Sequence, residues 1–77
     1  MNKVMFFAHL RDAVGKEFLL VEAAGKTVAE LKAEMAGTYR LEKMDTVMTA
    51  INEEFAMNDE IIRDEDVIAF IPPVSGG

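Results

Sequence analysis

Hydrophobic and polar positions divide the chain into short segments with two different periods. Lys3 to Ala8 is β-prone and apolar on both faces, with Val4, Phe6 and Ala8 on one side and Met5 and Phe7 on the other. One face of such a strand meets the core and the other needs a cover. His9 to Val14 carries Leu10 and Val14 at i, i+4 and leads to Gly15 at a C-terminal cap position, which predicts one or two helical turns. Glu17 to Glu22 reads as a second strand, Ala23-Ala24-Gly25-Lys26 turns the chain, and Thr27 to Glu30 is a T-x-x-E capping box. Beyond it Val28, Leu31 and Met35, joined by Ala36, fall on one helical face, while Glu30, Lys32 and Glu34 point to solvent and Gly37 closes the helix.

After a loop through Tyr39 and Lys43, Thr46 to Ile51 predicts a third strand. Asn52-Glu53-Glu54 turns into a short strand around Phe55 to Met57, with Asn52 suited to a left-handed position. Ile61 and Ile62 precede an acidic turn, Arg63-Asp64-Glu65-Asp66, and Val67 to Ile71 is a last strand, again apolar on both faces. A single long helix covers one face of a sheet, so the order predicts an α+β roll. The first and last strands can then pair in parallel at the sheet centre, which accounts for their apolar character and describes a ubiquitin-like β-grasp with a mixed sheet. The expected organisation is a domain over residues 1–71 and an extended tail over 72–77.

That tail is the most distinctive segment. Pro72 and Pro73 cannot donate ladder hydrogen bonds and favour an extended course, so they end the last strand and aim Val74, Ser75, Gly76 and Gly77 away from the body. Gly76 and Gly77 have no Cβ and are slim enough to thread a narrow channel in another protein.

Composition narrows the function classes. Seventy-seven residues make one small domain. An apolar fraction of 51% beside 29% charged residues reads as soluble and globular, and no apolar run is long enough to span a bilayer. The segment after Lys3 is too short for a signal peptide, so a cytoplasmic setting is expected. A net charge of −6 repels phosphate backbones, which argues against nucleic acid and for a basic partner surface. Cysteine is absent, so disulfides, thiolate metal sites and cysteine nucleophiles are excluded within this chain.

Conventional catalytic groups are scarce. His9 is the single histidine and has no paired spacing that would make it a ligand or a base, so it reads as a surface residue. Asp64, Glu65 and Asp66 lack the spacing of a calcium loop, no phosphate loop is present, and no metal site is expected. Met35, Met44, Met48 and Met57 read as adaptable core filler. If Val4, Phe6, Ile68 and Phe70 face the helix, then Met5, Phe7, Val67, Ala69 and Ile71 lie on the opposite face beside the tail exit. That face reads as a protein-binding patch, the alternatives being that loops cover it or that the register is slipped by one residue. Arg11 is either a charge partner for another protein or a solvated side chain.

Val4-Met5-Phe6-Phe7-Ala8, Leu10-Arg11, Thr27-Val28, Leu31, Ala50-Ile51-Asn52 and the run from Ala69 to Gly77 together resemble the small, sulfur-carrier subunits of molybdopterin synthase, within the ubiquitin-like superfamily. The F-F-A-x-L-R start and the F-x-P-P-V-S-G-G end carry the resemblance jointly, and it spans nearly the whole chain. It implies that Gly77 is the reacting residue: an E1-like enzyme, using ATP and Mg²⁺, adenylates its carboxylate, which is then converted to a thiocarboxylate. It further implies a large synthase subunit that receives the tail, in a heterotetramer, and passes the sulfur to cyclic pyranopterin monophosphate to build the dithiolene. The small subunit would hold no permanent cofactor and would not be catalytic alone. The thiamine-pathway sulfur carriers share the fold and the Gly-Gly end. A ubiquitin-like protein modifier would instead join Gly77 to lysines, and a pure scaffold would work without its glycines. One departure is Glu65, where the family often has glycine; a left-handed turn there would cost roughly 1–2 kcal/mol.

Overall fold

In a computed structural model describing residues 1–73, five strands and two helices form an α+β roll. In chain order these are β1 (Asn2–Phe6), α1 (Ala8–Val14), β2 (Phe18–Val21), α2 (Val28–Tyr39), β3 (Met48–Ile51), β4 (Glu54–Ala56) and β5 (Val67–Ile71), with a 3-10 turn over Met44–Thr46. The sheet order is β2-β1-β5-β3-β4. β1 and β5 pair in parallel at its centre, Val4 opposite Ile68 and Phe6 opposite Phe70, and the other pairings are antiparallel. The expected β-grasp topology is therefore present.

The helix side of the sheet is the core. Val4, Phe6, Ile68 and Phe70 are buried there with Leu10, Val28, Leu31 and Ile62. The Phe6 and Phe70 rings lie 6.2 Å apart in a tilted arrangement, a favourable aromatic contact.

All four leading amides of α2 are matched. Those of Val28 and Ala29 donate to the carbonyls of Glu60 and Asn58, that of Glu30 to Thr27 Oγ1 and that of Leu31 to the Thr27 carbonyl. The capping box closes because the Thr27 amide donates to Glu30 Oε1 at 2.9 Å. Hydrogen bonds from the backbone of Thr27, then from its hydroxyl, hold the Glu30 carboxyl below its usual range. A carboxyl depressed in this way adds stability above its unfolded-state pKa and loses it as pH falls through the folded value.

Several local expectations change. β1 stops at Phe6, because the Phe7 carbonyl already accepts from the amides of Leu10 and Arg11; Ala8, expected in the strand, begins α1 with a positive φ of 51°. Gly37 does not close α2. The helix runs on to Tyr39 and ends where Arg40 turns left-handed (φ 55°) and the Leu41 amide bonds back to Ala36, with Leu41 buried beneath. Lys32, expected in solvent, is buried, with Nζ donating to the Val47 carbonyl at 2.7 Å and Asn58 Oδ1 at 3.2 Å. Burial pushes its ammonium below the ordinary lysine value, and Asp45 partly opposes this. Met35 and Met44 are core filler as expected, whereas Met48 and Met57 are exposed. The third strand begins only at Met48, after the 3-10 turn.

The start of β1 is fixed by Asn2, which is fully buried. Its Nδ2 donates to the carbonyls of Arg63 and Asp66, at 2.8 and 3.0 Å, and its Oδ1 accepts from the Ala23 amide at 3.1 Å. One side chain thus ties the central strand to the acidic turn and to the approach to α2. Asn2→Asp, which cannot donate to two carbonyls when ionised, should cost more than Asn2→Ala, itself expected to cost about 1–3 kcal/mol. The extra loss should shrink at acidic pH as the carboxyl protonates; urea unfolding at neutral and acidic pH reads this, and equal losses at both would refute it. In the acidic turn Glu65 sits at φ 70°. Glu65→Gly should therefore raise the unfolding free energy by up to about 1 kcal/mol, strain relief being partly offset by unfolded-chain entropy. A measured loss of stability would contradict that account.

Candidate protein-docking face and tail exit

The face of the sheet away from the helices is crossed by one row of paired residues. Met5 stands opposite Phe18 on β2 and Ala69 on β5; Ala69 stands opposite Ala50 on β3, and Ala50 opposite Phe55 on β4. Because alternate residues of a strand point to opposite faces, this row lies on the side away from Val4 and Phe70. Two alanines form its floor, and larger side chains rise at both ends. The result is an apolar concavity of about 640 Å³, lined also by Phe7, Val67 and Ile71. Phe55, on its wall, is 72% exposed, and Phe18, at the far end of the row and outside the concavity, is 43% exposed.

The structure brings Met5, Phe7, Val67, Ala69 and Ile71 together around this concavity. Arg11 is apart from it, on α1, exposed and 4.0 Å from Glu17. An exposed pair at that distance contributes little. Phe18, Ala50 and Phe55 belong to the face but were not singled out from the sequence; the signal was the cross-strand register, which periodicity within one strand does not supply. Lys3, on the same face, places its Nζ 4.4 Å from the centre of the Phe18 ring, a cation–π contact.

The concavity adjoins the start of the tail. Ile71 ends β5 on its rim, Pro72 is buried and Pro73 is exposed. The expected site residues Val74, Ser75, Gly76 and Gly77 lie outside the described residues. The rim residues Asn52 and Glu53 form the β3–β4 turn, both at positive φ (51° and 70°), the geometry of a two-residue hairpin loop. Asn52 Oδ1 accepts from the Val67 amide at 2.9 Å and Asn52 Nδ2 donates to Asp66 Oδ1 at 2.9 Å, so the turn is pinned to the beginning of β5.

Among the described residues no group of three or more His, Cys, Asp or Glu side chains is placed to hold a metal ion, and no helix is long and apolar enough to cross a membrane. His9 is exposed. The described site therefore consists of an apolar surface beside a tail exit, with recognition as its evident chemistry.

Residues 4–77 match the ThiS family. The chain is 37% identical over 81 aligned positions to the molybdopterin synthase sulfur carrier subunit of Escherichia coli K12, with both chains covered in full. Among solved structures it resembles small archaeal modifier protein 1 of Methanosarcina acetivorans (TM-score 0.80, 27% identity, covering 99% of this chain and 95% of that one). It also resembles a chain from the complex of subunits 1 and 2 of the molybdopterin-converting factor of Helicobacter pylori (TM-score 0.69, 26% identity, covering 99% and 97%). A full-length match of this kind, on a β-grasp with an open apolar face beside its tail exit, makes the chain a member of the ThiS family, akin to the molybdopterin synthase sulfur carrier subunits.

Proposed function

We propose that this protein is the sulfur-carrier subunit of a molybdopterin synthase and that Gly77 is the residue that carries the sulfur. The observation behind the reading is the continuity of the apolar row with β5. A partner seated on Met5, Ala69 and Ala50 also stands where the strand leads into Pro72, Pro73 and the glycines. The full-length identity to a named sulfur carrier subunit and the similarity to a chain solved with its second subunit support a large-subunit partner. The heterotetramer expected from the resemblance belongs to this proposal.

A carboxylate is a poor acyl electrophile at neutral pH, so the tail must be activated. In the proposed sequence a Gly77 carboxylate oxygen attacks the α-phosphorus of ATP on an E1-like enzyme, with Mg²⁺, and pyrophosphate leaves. A donor at the oxidation level of sulfide then adds to the carbonyl and AMP leaves, giving the thiocarboxylate. The large subunit orients that sulfur toward cyclic pyranopterin monophosphate, and its own groups supply acid, base and anion binding. Val74, Ser75 and Gly76, following Pro72 and Pro73, serve as the threading segment. Arg11, on another surface, is proposed as an accessory contact.

Similarity to a small archaeal modifier protein favours one other reading, in which activated Gly77 is joined to a lysine of another protein. Intact mass and C-terminal fragments of protein from its native host, after treatment with a thiol alkylating reagent, separate the two. The chain has no cysteine, so an alkyl group localised to Gly77 is the result expected of a sulfur carrier. Unmodified Gly77 together with isopeptide conjugates would overturn it. For the docking face, Ala69→Arg should cost no more than about 1 kcal/mol of stability, because the half-buried side chain faces the open concavity and not the core. It should weaken binding to the large subunit of the same host by about 30-fold or more, through burial of an unpaired charge. Undiminished binding in calorimetry would remove the face from the interface.

A further inference from the structure

We propose that Glu53 orients the large subunit on the apolar concavity by pairing with one of its arginines at the rim farthest from the tail, an assignment that rests on the docking face of the proposed function. Burial of apolar surface is non-directional. A concavity floored by Ala50 and Ala69 therefore holds a protruding side chain without deciding which way round its owner lies. A charge at one end supplies that direction. Among the described residues, Glu53 is the one ionisable side chain that lines the concavity.

The place of this carboxylate is fixed by its neighbour. The Asn52 amide donates to the Val67 carbonyl at 2.8 Å, and the Asn52 side chain bonds the Val67 amide and Asp66, so the turn is held at the start of β5. From Val67 to Ile71 the strand advances four residue steps, about 13 Å, which puts the rim charge and the tail exit at opposite ends of the concavity. A two-residue hairpin loop with both φ positive favours Asn-Gly. Asn52 fits its position at φ 51°, but Glu53 takes φ 70°, where glycine would be unstrained. Ala8, Arg40, Lys43 and Glu65 share the positive φ, yet of this set only Asn52 and Glu53 border the concavity. The neighbouring Glu54 is exposed too, but it stands opposite Ile51 and takes the helix side of the sheet.

Phe55, two residues on, sets an exposed aromatic ring on the same wall as Glu53. A planar guanidinium stacks on such a ring while its N–H fork meets a carboxylate. It is also more weakly hydrated than an ammonium, so it is less costly to draw against apolar surface. Arginine therefore suits this corner better than lysine. The net charge of −6 steers a basic partner at long range but does not choose its orientation. The rim pair does: with one end of the partner held at Glu53, its other end faces Ile71 and Pro72, where the tail begins.

The test measures binding of the full chain to the large subunit of the same host, by calorimetry and stopped flow, at about 0.05 and about 0.5 M salt. Glu53→Gln should weaken binding about 5-fold at the lower salt, mainly through slower association, and Glu53→Lys about 50-fold; both differences should shrink at the higher salt. Glu54→Gln, the same change of net charge one residue on, should leave affinity within about 2-fold. Glu53→Gly should raise the folding equilibrium constant in urea by up to about 5-fold and yet bind as weakly as Glu53→Gln, an opposition that a merely structural role would not produce. Among arginines of the large subunit changed singly to glutamate, one should restore binding to Glu53→Lys. Rescue by none would overturn the proposal, as would equal losses at Glu53 and Glu54 or a loss that persists at high salt. If Ala69→Arg weakens binding while Glu53→Gln leaves it unchanged, the docking face stands and the role of Glu53 alone fails. A large subunit that does not bind the unsubstituted chain removes both.

Discussion

The structure depends on the parallel pairing of β1 with β5, which joins the two ends of the domain at the centre of the sheet. Central strands are flanked on both sides within the sheet and contribute apolar residues to both of its faces, yet a fold with its helices on one side can bury only one face. Val4, Phe6, Ile68 and Phe70 satisfy that face completely. Met5, Val67 and Ala69, between them in sequence, have no helix to meet. The unpartnered face is thus a consequence of topology, and β5, the strand that leads into Pro72 and Pro73, runs through its middle. The uncovered face and the base of the tail are therefore parts of one rigid element. Under the proposed function this proximity serves a partner that holds the body while taking the tail, because the ordering cost at the start of the tail is met within the fold.

The polar contacts that lock this pairing lie at one end of it. Asn2 bonds the carbonyls of Arg63 and Asp66, and Asn52 bonds the Val67 amide and Asp66, so the acidic turn before β5 is held by amide side chains from β1 and from the turn that follows β3. Asp66 Oδ2 also accepts from the Arg63 amide, closing the turn on itself. Such bonds set the register of β5 against β1 and β3, and a slip by one residue would exchange its core and open faces. The strain accepted at Glu65 is confined within this well-determined turn, which is how an unfavourable φ persists.

Much of this was legible in the sequence because it rests on period and local chemistry. Two strands apolar on both faces predicted the parallel centre, Thr27 and Glu30 the helix start, and Asn52 a left-handed turn. What escaped depends on tertiary partners. Lys32 looks like a solvent position on a helical wheel, but the Val47 carbonyl and Asn58 Oδ1 come from segments brought there only by the fold. Gly37 carries a cap-like signal, but one interior glycine costs a helix only about 1 kcal/mol. Burial of Leu41 carries the helix two residues past it, to Tyr39. Ala8 was lost to a strand because alternation gives no warning of where the chain turns. At the site, periodicity separated the two faces of β1 and β5, while Phe18, Ala50 and Phe55 required the pairing between strands.

An exposed apolar face on a small domain invites edge-to-edge or face-to-face aggregation, and several features counter it. The edge strands are short: β2 has four residues and β4 three. Short edges offer few unpaired backbone groups to another chain. Lys3 lies within the face on Phe18, and Glu53 borders the concavity, so close stacking of two identical faces must bury charge. The excess of acidic side chains adds long-range repulsion between copies. The same features suit a basic partner with a protruding apolar element, which could fill the alanine floor between Met5 and Phe55 and meet the rim charge with its own. Discrimination against self and, under the proposed function, affinity for another protein thus draw on one arrangement of side chains on the uncovered side of the sheet.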